Sequence, residues 1–417
     1  MGNEPSVAVY ESRAKDWMQR RTRQYGDRLE RFAARVTRIS GGGEAGPGPG
    51  DGDAASDPAG GNDPGSTGIG DSVTRRAGPS PPRSRRQPSP AGTGESVTRR
   101  AGPVADLGCG PGWHLDGLPQ PALALDASRA MLAEVGAPTG DTAPLRVAAD
   151  LRALPLRDRC LRAAWASRSY IHLARAEVPL ALADLHRVLV PGAAVELHLF
   201  AGDTEWDERA DDDFPGRRFS RWPEGWLRDV LVGAGLAVES VEQRNRVLLV
   251  AATRLHTLAD TVAPGMRLLV CGLNPSLHAA EVGVGFARGS NRFWRAALAA
   301  GLVSRDRDPR HALAAHNIGM TDLVKRPTRQ AAELTAAEYS EGLARLERLV
   351  KRLEPGVVCF VGLAGWRAAV DRRATPGPQP RRIGGRPAYV MPSTSGLNAR
   401  TSLAELTAHL RAAASLQ

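Results

Sequence analysis

The chain predicts two three-layer α/β domains in series, with a long insert that has no core of its own. Three observations carry this. At 417 residues the chain exceeds one ordinary domain and suits two. Short apolar runs alternate with helical stretches over residues 104–256 and again over 264–417, the rhythm of a mostly parallel sheet covered by helices. Residues 40–103, by contrast, are Gly, Pro, Ser, Asp and Arg with almost no large apolar side chain, so burial cannot offset the entropy of ordering them.

Taken in order, residues 1–39 predict a helix that packs one face on the domain that follows. Val9, Ala14, Trp17, Met18, Tyr25, Leu29, Phe32 and Val36 recur at helical spacing, and one helix over 8–38 accommodates them. Residues 40–103 predict a disordered linker containing a direct repeat, Ser72-Val-Thr-Arg-Arg-Ala-Gly-Pro79 and Ser96-Val-Thr-Arg-Arg-Ala-Gly-Pro103. Strands are then expected at 104–107, 122–125, 161–166 and 193–200, with a closing hairpin from 236–242 and 247–253. The last unit predicts strands at 267–271, 314–318, 357–361 and 388–391. Two of its helices start on capping boxes, Thr335-Ala-Ala-Glu338 and Ser402-Leu-Ala-Glu405. The first places Tyr339, Leu343, Leu346, Leu349, Val350 and Leu353 on one core-facing stripe.

Charge divides unevenly. Residues 264–417 hold 22 Lys and Arg against 11 Asp and Glu, whereas residues 104–263 hold 17 against 22. The last unit is therefore the place for a phosphate-binding surface. The four cysteines, Cys109, Cys160, Cys271 and Cys359, lack the close pairing of zinc sites and the spacing of an iron-sulfur cluster, so free thiols and no metal are expected. No run approaches the roughly 20 apolar residues of a membrane helix, and the N-terminus lacks a signal-peptide core. This reading expects a cytoplasmic, nucleoid-associated protein with no membrane partner.

Asp106-Leu-Gly-Cys-Gly-Pro-Gly112 follows a predicted strand, and its glycines permit a tight turn whose backbone approaches a ligand. A second strand ends in Asp126, where a carboxylate can accept both hydroxyls of a ribose, and a third reaches Asp150. The rival is a nicotinamide-binding domain, but the spacing is Gly-x-Gly-x-Gly rather than Gly-x-Gly-x-x-Gly. With Val188-Leu-Val-Pro-Gly192 before a later strand, the region resembles the class I S-adenosylmethionine-dependent methyltransferases. The resemblance implies a Rossmann-like sheet that binds S-adenosylmethionine. Asp106, Gly108, Gly110 and Gly112 would hold the methionine part, Asp126 the ribose, and Asp150 would lie near the adenine. The acceptor is unknown. The Asp/Asn-Pro-Pro-Tyr/Phe motif of DNA amino-methylating enzymes is absent, and Ala166-Ser-Arg-Ser-Tyr-Ile-His172 stands in its place, with His172 either a base, a substrate contact or structural.

Four segments of the last unit fall in a fixed order: Gly272-Leu-Asn-Pro-Ser276, Gly285-Phe-Ala-Arg-Gly-Ser-Asn-Arg-Phe-Trp294, Gly319-Met-Thr-Asp-Leu-Val-Lys-Arg-Pro-Thr328 and Met391-Pro-Ser-Thr-Ser-Gly-Leu-Asn398. Together they resemble the mismatch-specific uracil/thymine DNA glycosylases, from about residue 265 to the C-terminus. This implies a uracil-DNA-glycosylase-like parallel sheet and a base-excision repair enzyme without a cofactor. Its partner would be double-stranded DNA containing uracil or mismatched thymine. The first segment leaves a predicted strand, so Asn274 faces the cleft; the resemblance implies that it holds the attacking water, the alternative being a turn asparagine bonded to its own backbone. Phe286 is the aromatic on which the extruded base stacks, Asn291 caps the next helix beside it, and Ser276 stands in the base pocket. Asp322 either orients or deprotonates the water, contacts the base, or serves as a cap or ion-pair partner. Gly396, Leu397 and Asn398 form a minor-groove wedge, and Arg400 reaches a phosphate or the orphaned base.

The chain departs from the pattern in having Ser393-Thr394 where Asn-Pro is usual and Ser276 where glycine is usual. The small serine leaves room for a thymine methyl, with uracil the safer substrate. No Schiff-base lysine is apparent, so strand cleavage is not expected. The alternative is a methyltransferase recruited to DNA by a glycosylase-fold module that does not turn over.

Overall fold

The computed structural model describes residues 4–21, 26–40, 102–136, 144–205 and 212–416. The linker expected over 40–103 falls, from 41 to 101, outside the described residues. The N-terminal region forms two helices rather than the one expected: α1 (Glu4–Arg20), which bends at Arg13, and α2 (Asp27–Ser40). They serve different surfaces, which one straight helix could not reach. Leu29, Phe32 and Val36 of α2 are buried, while α1 crosses a cavity described below.

The first sheet contains β1 (Val104–Leu107), β2 (Ala122–Asp126), β3 (Leu145–Ala148), β4 (Leu161–Ser167), β5 (Leu189–Ala201), β6 (Arg221–Trp222), β7 (Leu236–Arg244) and β8 (Val247–Arg254). Its order is β3-β2-β1-β4-β5-β8-β7, with β6 on β5. Strands β1 to β5 run parallel, and β8 is antiparallel to both β5 and β7. Strand order reverses between β1 and β4, which opens a crevice at their carboxyl ends. Helices α3 (Arg129–Ala133), α4 (Val178–Val188) and α5 (Glu224–Gly233) connect these strands. Four-residue β1 is wholly buried, as the unbroken run Val-Ala-Asp-Leu requires.

The second sheet, β9 (Leu268–Gly272), β10 (Ile318–Asp322), β11 (Val357–Val361), β12 (Gly377–Ile383) and β13 (Arg386–Met391), has the order β10-β9-β11-β13-β12. All but β12 are parallel. Its connecting helices are α6 (Leu277–Val282), α7 (Phe293–Ala299), α8 (Pro309–His316), α9 (Ala336–Leu353), α10 (Leu363–Ala369) and α11 (Leu403–Ala414). Both capping boxes form, and the expected stripe of α9 lies in the core with only Tyr339 partly exposed.

The expected strand at 314–318 is a correction. Residues up to His316 belong to α8, which Asp308 caps through its side chain and Pro309 opens. Asn317 ends that helix in the left-handed region (φ 57°), and the strand runs from Ile318 instead. β12 was not anticipated because it contains Pro378 and Pro380. It is tolerated as the sheet's edge.

The connection between the sheets is buried rather than free: Thr257, Leu258, Asp260 and Val262 are all in the interior. Asp229 of α5 takes Arg348 and Arg352 of α9 at 2.6–2.8 Å, and Arg310 of α8 reaches Asp184 of α4 at 2.7 Å. Asp260 holds Lys325 and Arg345 at 2.9 and 2.8 Å. Arg159 pairs with Glu281 of α6. Part of the basic excess of the second unit therefore neutralises carboxylates of residues 104–263 rather than facing outward.

Candidate active sites

In the second unit, β9, β10 and β13 end at one edge of the sheet, and three of the four motif segments leave from those ends. The segment after β9 is laced to the one after β10: Leu323 N donates to Gly272 O (2.9 Å), Val324 N to Leu273 O (2.9 Å) and Thr328 N to Pro275 O (3.2 Å). Asn274 joins the lacing. Its Nδ2 donates to Arg326 O (2.9 Å) and Thr328 Oγ1 (2.8 Å), so Oδ1 is the atom left to accept a proton.

Asp322 stands beside Gly272. A side chain there would collide, since a Cβ on Gly272 would lie 2.4 Å from Asp322 Oδ1 and 3.5 Å from Phe286 Cζ. Glycine at 272 is thus what lets the carboxylate and the aromatic ring approach one point. Among the described residues, no hydrogen bond or ion pair reaches the Asp322 carboxylate. Burial pushes its pKa up to about 6, with nearby Asp260 adding to the rise and Lys325 and Arg345 opposing it. Neither the cap nor the ion pair that the sequence left open is formed.

Phe286 has φ of 59°, a strained backbone for an aromatic residue, and the surroundings hold it there. Its ring stacks on Phe293 at 4.4 Å, and Trp294 Nε1 donates to Gly285 O at 2.9 Å. Asn291 is not the cap expected of it: Arg292 is the N-cap of α7, and Asn291 stands one residue before it with Oδ1 accepting from Phe293 N (2.9 Å). Ser276 is the N-cap of α6, its hydroxyl accepting from Ala279 N at 3.1 Å. The serine hydroxyl is therefore turned to the helix.

Leu397 is 97 % exposed, an unusual position for a large apolar side chain. Its loop is firm beneath it. Arg292 N donates to Thr394 O (2.9 Å), and the Arg292 guanidinium reaches the carbonyls of Asn398, Thr401 and Ser395. Asn398 Nδ2 donates to Ser393 O (2.8 Å) and Thr401 Oγ1 (3.1 Å). Gly396 packs on Ser290, where a Cβ would stand 2.8 Å from the serine Cβ. Arg400 is exposed. All four segments thus form one assembly. The place of Gly272 was not foreseen.

In the first unit, a cavity of about 780 Å³ opens at the crevice between β1 and β4. Gly108, Gly110 and Asp126 line it. Gly108 (φ 68°) is pressed on Ser169, where a Cβ would meet the serine Cβ at 2.2 Å. Asp126 accepts from Gly110 N and Ser128 N, both at 2.8 Å, and burial raises its pKa. Two backbone donors leave a carboxylate further acceptor sites. Asp106 is 1 % exposed, and neither of its oxygens has a hydrogen-bond partner among the described residues; His114 Nδ1 stands 3.7 Å away. Gly112 (φ 79°) closes on Leu115 and Val135, and neither it nor Asp106 is part of the lining, against the expectation that both hold the methionine part. Asp150 is also outside the lining. Its carboxylate is occupied by Arg152, which holds it in the low carboxylate range despite burial, while its neighbours Ala149 and Leu151 face the cavity.

Residues 259–416 match the uracil DNA glycosylase superfamily. The second unit is thus similar to domains of that superfamily. Residues 104–192 match a methyltransferase domain. Among solved structures, an S-adenosylmethionine dependent methyltransferase from Mesorhizobium loti is 24% identical over 36% of this chain and 90% of its own, with a TM-score of 0.29. One from Aquifex aeolicus is 19% identical over 36% of this chain and 81% of its own, at 0.28. The magnesium protoporphyrin IX methyltransferase from Synechocystis PCC 6803, with bound SAM, is 20% identical over 36% and 69%, at 0.29. No described helix of either domain is long and apolar enough to cross a membrane.

The sequence missed what α1 contributes. Ser6, Tyr10, Trp17 and Arg20 line the methyltransferase cavity from the chain's far end, as does Arg217. Nothing at sequence level pairs Tyr10 with His172, 162 residues away.

Proposed function

We propose that the glycosylase-superfamily domain hydrolyses the N-glycosidic bond of uracil, and of thymine, in mismatched double-stranded DNA, and that the methyltransferase domain transfers a methyl group from S-adenosylmethionine. The observation that carries the first part is the approach of Asp322 and Phe286 to Gly272, beside the lacing that fixes Asn274. Cleavage leaves positive charge on the sugar and negative charge on the departing base. Asn274 Oδ1 accepts a hydrogen bond from the attacking water and orients it. Asp322, with a pKa near neutrality, is ionised at pH 7 and accepts the proton that water loses. The free face of Phe286 stacks the extruded base, and Leu397 fills the space it leaves in the duplex. Ser276 keeps the pocket small-sided without offering its hydroxyl, which supports uracil first and thymine second.

For the methyltransferase domain, the Asp106 carboxylate, buried behind the lining with His114 3.7 Å away and no hydrogen bond among the described residues, fits a cationic group such as the methionine ammonium, the Gly108–Gly110 turn admits the chain, and Asp126 retains acceptor sites for a ribose. When bound, the cofactor supplies an electrophilic methyl group. The protein's part is to hold and orient it and to receive the acceptor's proton.

The deciding experiment is an excision assay on G:U, G:T, A:U and single-stranded oligonucleotides. Wild type is expected to convert G:U to an abasic site without strand cleavage. Asn274→Ala should lose roughly 100-fold or more in rate. Full activity in that variant overturns the mechanism.

A further inference from the structure

The part of the methyltransferase cavity beyond the cofactor turn has its own chemistry. Helix α1 straps across it and is tied at both rims. On the cofactor side, Glu11 accepts from Ser128 Oγ (2.8 Å) and Ala130 N (3.1 Å) at the start of α3. Trp17 stacks at 4.8 Å on Trp113, which follows the glycine turn, and on the opposite side Ser6 Oγ accepts from Arg218 N (3.0 Å). Ser6, Tyr10, Trp17 and Arg20 of α1 form one wall of the cavity. Its volume falls in the range of small-ligand sites.

Under the strap lies a fixed proton relay. His172 Nδ1 is 2.9 Å from the carbonyl of Arg218, which can only accept, so Nδ1 carries the proton and Nε2 the lone pair. Nε2 faces Tyr10 Oη at 3.0 Å, so the phenol donates to it. Arg217 Nη1 donates to the same phenol at 2.9 Å, and Asp212 holds the Arg217 guanidinium. Tyr10, His172 and Arg217 all line the cavity. Burial keeps the imidazole neutral, well below its ordinary range, so the lone pair is available at neutral pH.

Resting on the methyltransferase reading above, we propose that the methyl acceptor is a small molecule enclosed beneath α1, with an O–H, N–H or S–H group facing Tyr10, and that His172 is the terminal proton acceptor. The acceptor heteroatom's lone pair forms the bond to the methyl carbon. The carbon–sulfur bond breaks with its electron pair on sulfur, which becomes a neutral thioether. The heteroatom's proton passes to Tyr10 Oη as the phenolic proton passes to His172 Nε2. One positive charge enters as sulfonium and one leaves as imidazolium, so the step balances. Tyr10 is the catalytic residue that touches the acceptor, and His172 acts through it.

The test uses the full chain and S-adenosylmethionine tritiated in the methyl group, offered either a protein-free ultrafiltrate of cell extract or a duplex oligonucleotide. Label is expected in a low-mass product and not in the duplex. Tyr10→Phe keeps the ring packing but removes the relay, and it should cut labelling about 100-fold with cofactor affinity unchanged in calorimetry. His172→Gln should do the same. A solvent deuterium isotope effect on wild-type labelling should vanish in Tyr10→Phe, which a packing defect would not cause. Label in the duplex, no low-mass product, or wild-type rates in both variants overturns the proposal. Failure to bind S-adenosylmethionine overturns the methyltransferase reading itself, and calorimetry on wild type separates the two.

Discussion

Asp322 is a carboxylate placed where folding alone would not put one. Its pKa near 6 lies above the 3.8 of the free side chain, so the folded state holds the proton more tightly than the unfolded one. Stability is therefore lost as pH rises from about 4 to about 6, and the penalty is complete at pH 7. Asp322→Asn should raise stability at pH 7 by on the order of 2 kcal/mol in urea denaturation. It should also remove the acid limb near pH 6 from the excision rate, together with most of the rate. A variant that gains stability and keeps its rate and pH profile would exclude Asp322 from the chemistry. At this scale the motifs around Asn274, Phe286 and Leu397 stood out in the sequence because together they resemble one family, and the roles of the three residues are the proposal above. The state of Asp322 was not legible, since desolvation depends on Gly272, Phe286 and the buried Asp260 cluster closing around it.

At the scale of elements, the wedge loop is rigid at its base and bare at its tip. Leu397→Ala removes a side chain that touches little, so stability should stay within about 0.5 kcal/mol of wild type. Excision from duplex should nevertheless fall roughly tenfold, the loss expected when an apolar wedge no longer offsets unstacking. Single-stranded uracil needs no wedge and should be cleaved as before. Arg292→Ala should differ by lowering both stability and duplex excision, because three carbonyls lose their shared donor. Thermal melts and paired substrate assays distinguish the two.

Capping boxes and the α9 stripe could be read from spacing alone, since their partners are three or four residues apart. The α8 boundary could not. Ala314, Ala315 and His316 suit either state, and Asp308 and Asn317 decide between them from outside the run. The N-terminal helix hid its break for a related reason: α1 and α2 pack on different parts of the first unit.

At the scale of the molecule, the two domains share a seam of ion pairs. Asp184 is the most enclosed of its carboxylates, and Asp260, at the start of the second unit, lies nearly as deep. Burial alone would raise the pKa of Asp260, and Arg345 and Lys325 more than reverse this. Asp229 is held low in the same way by Arg348 and Arg352. For both, the stabilisation is present above the unfolded value and is lost as pH falls below about 4. Asp260→Ala leaves two buried cations without their partner and should destabilise the protein by about 3–5 kcal/mol in denaturant melts. Composition showed an acidic unit beside a basic one, but not that the two charges meet. The basic excess read at first as a DNA surface is partly an internal joint. The remaining excess should still make duplex binding weaken steeply with salt, measured as the slope of affinity against ionic strength.

The stacked indoles of Trp17 and Trp113 are a pair of coupled chromophores built into the strap. At 4.8 Å and 27° their transitions mix, so near-ultraviolet circular dichroism should carry a signal that depends on α1 being closed. Opening of the strap to admit a ligand can then be timed optically in the unlabelled protein, with Trp17→Phe as the silent reference.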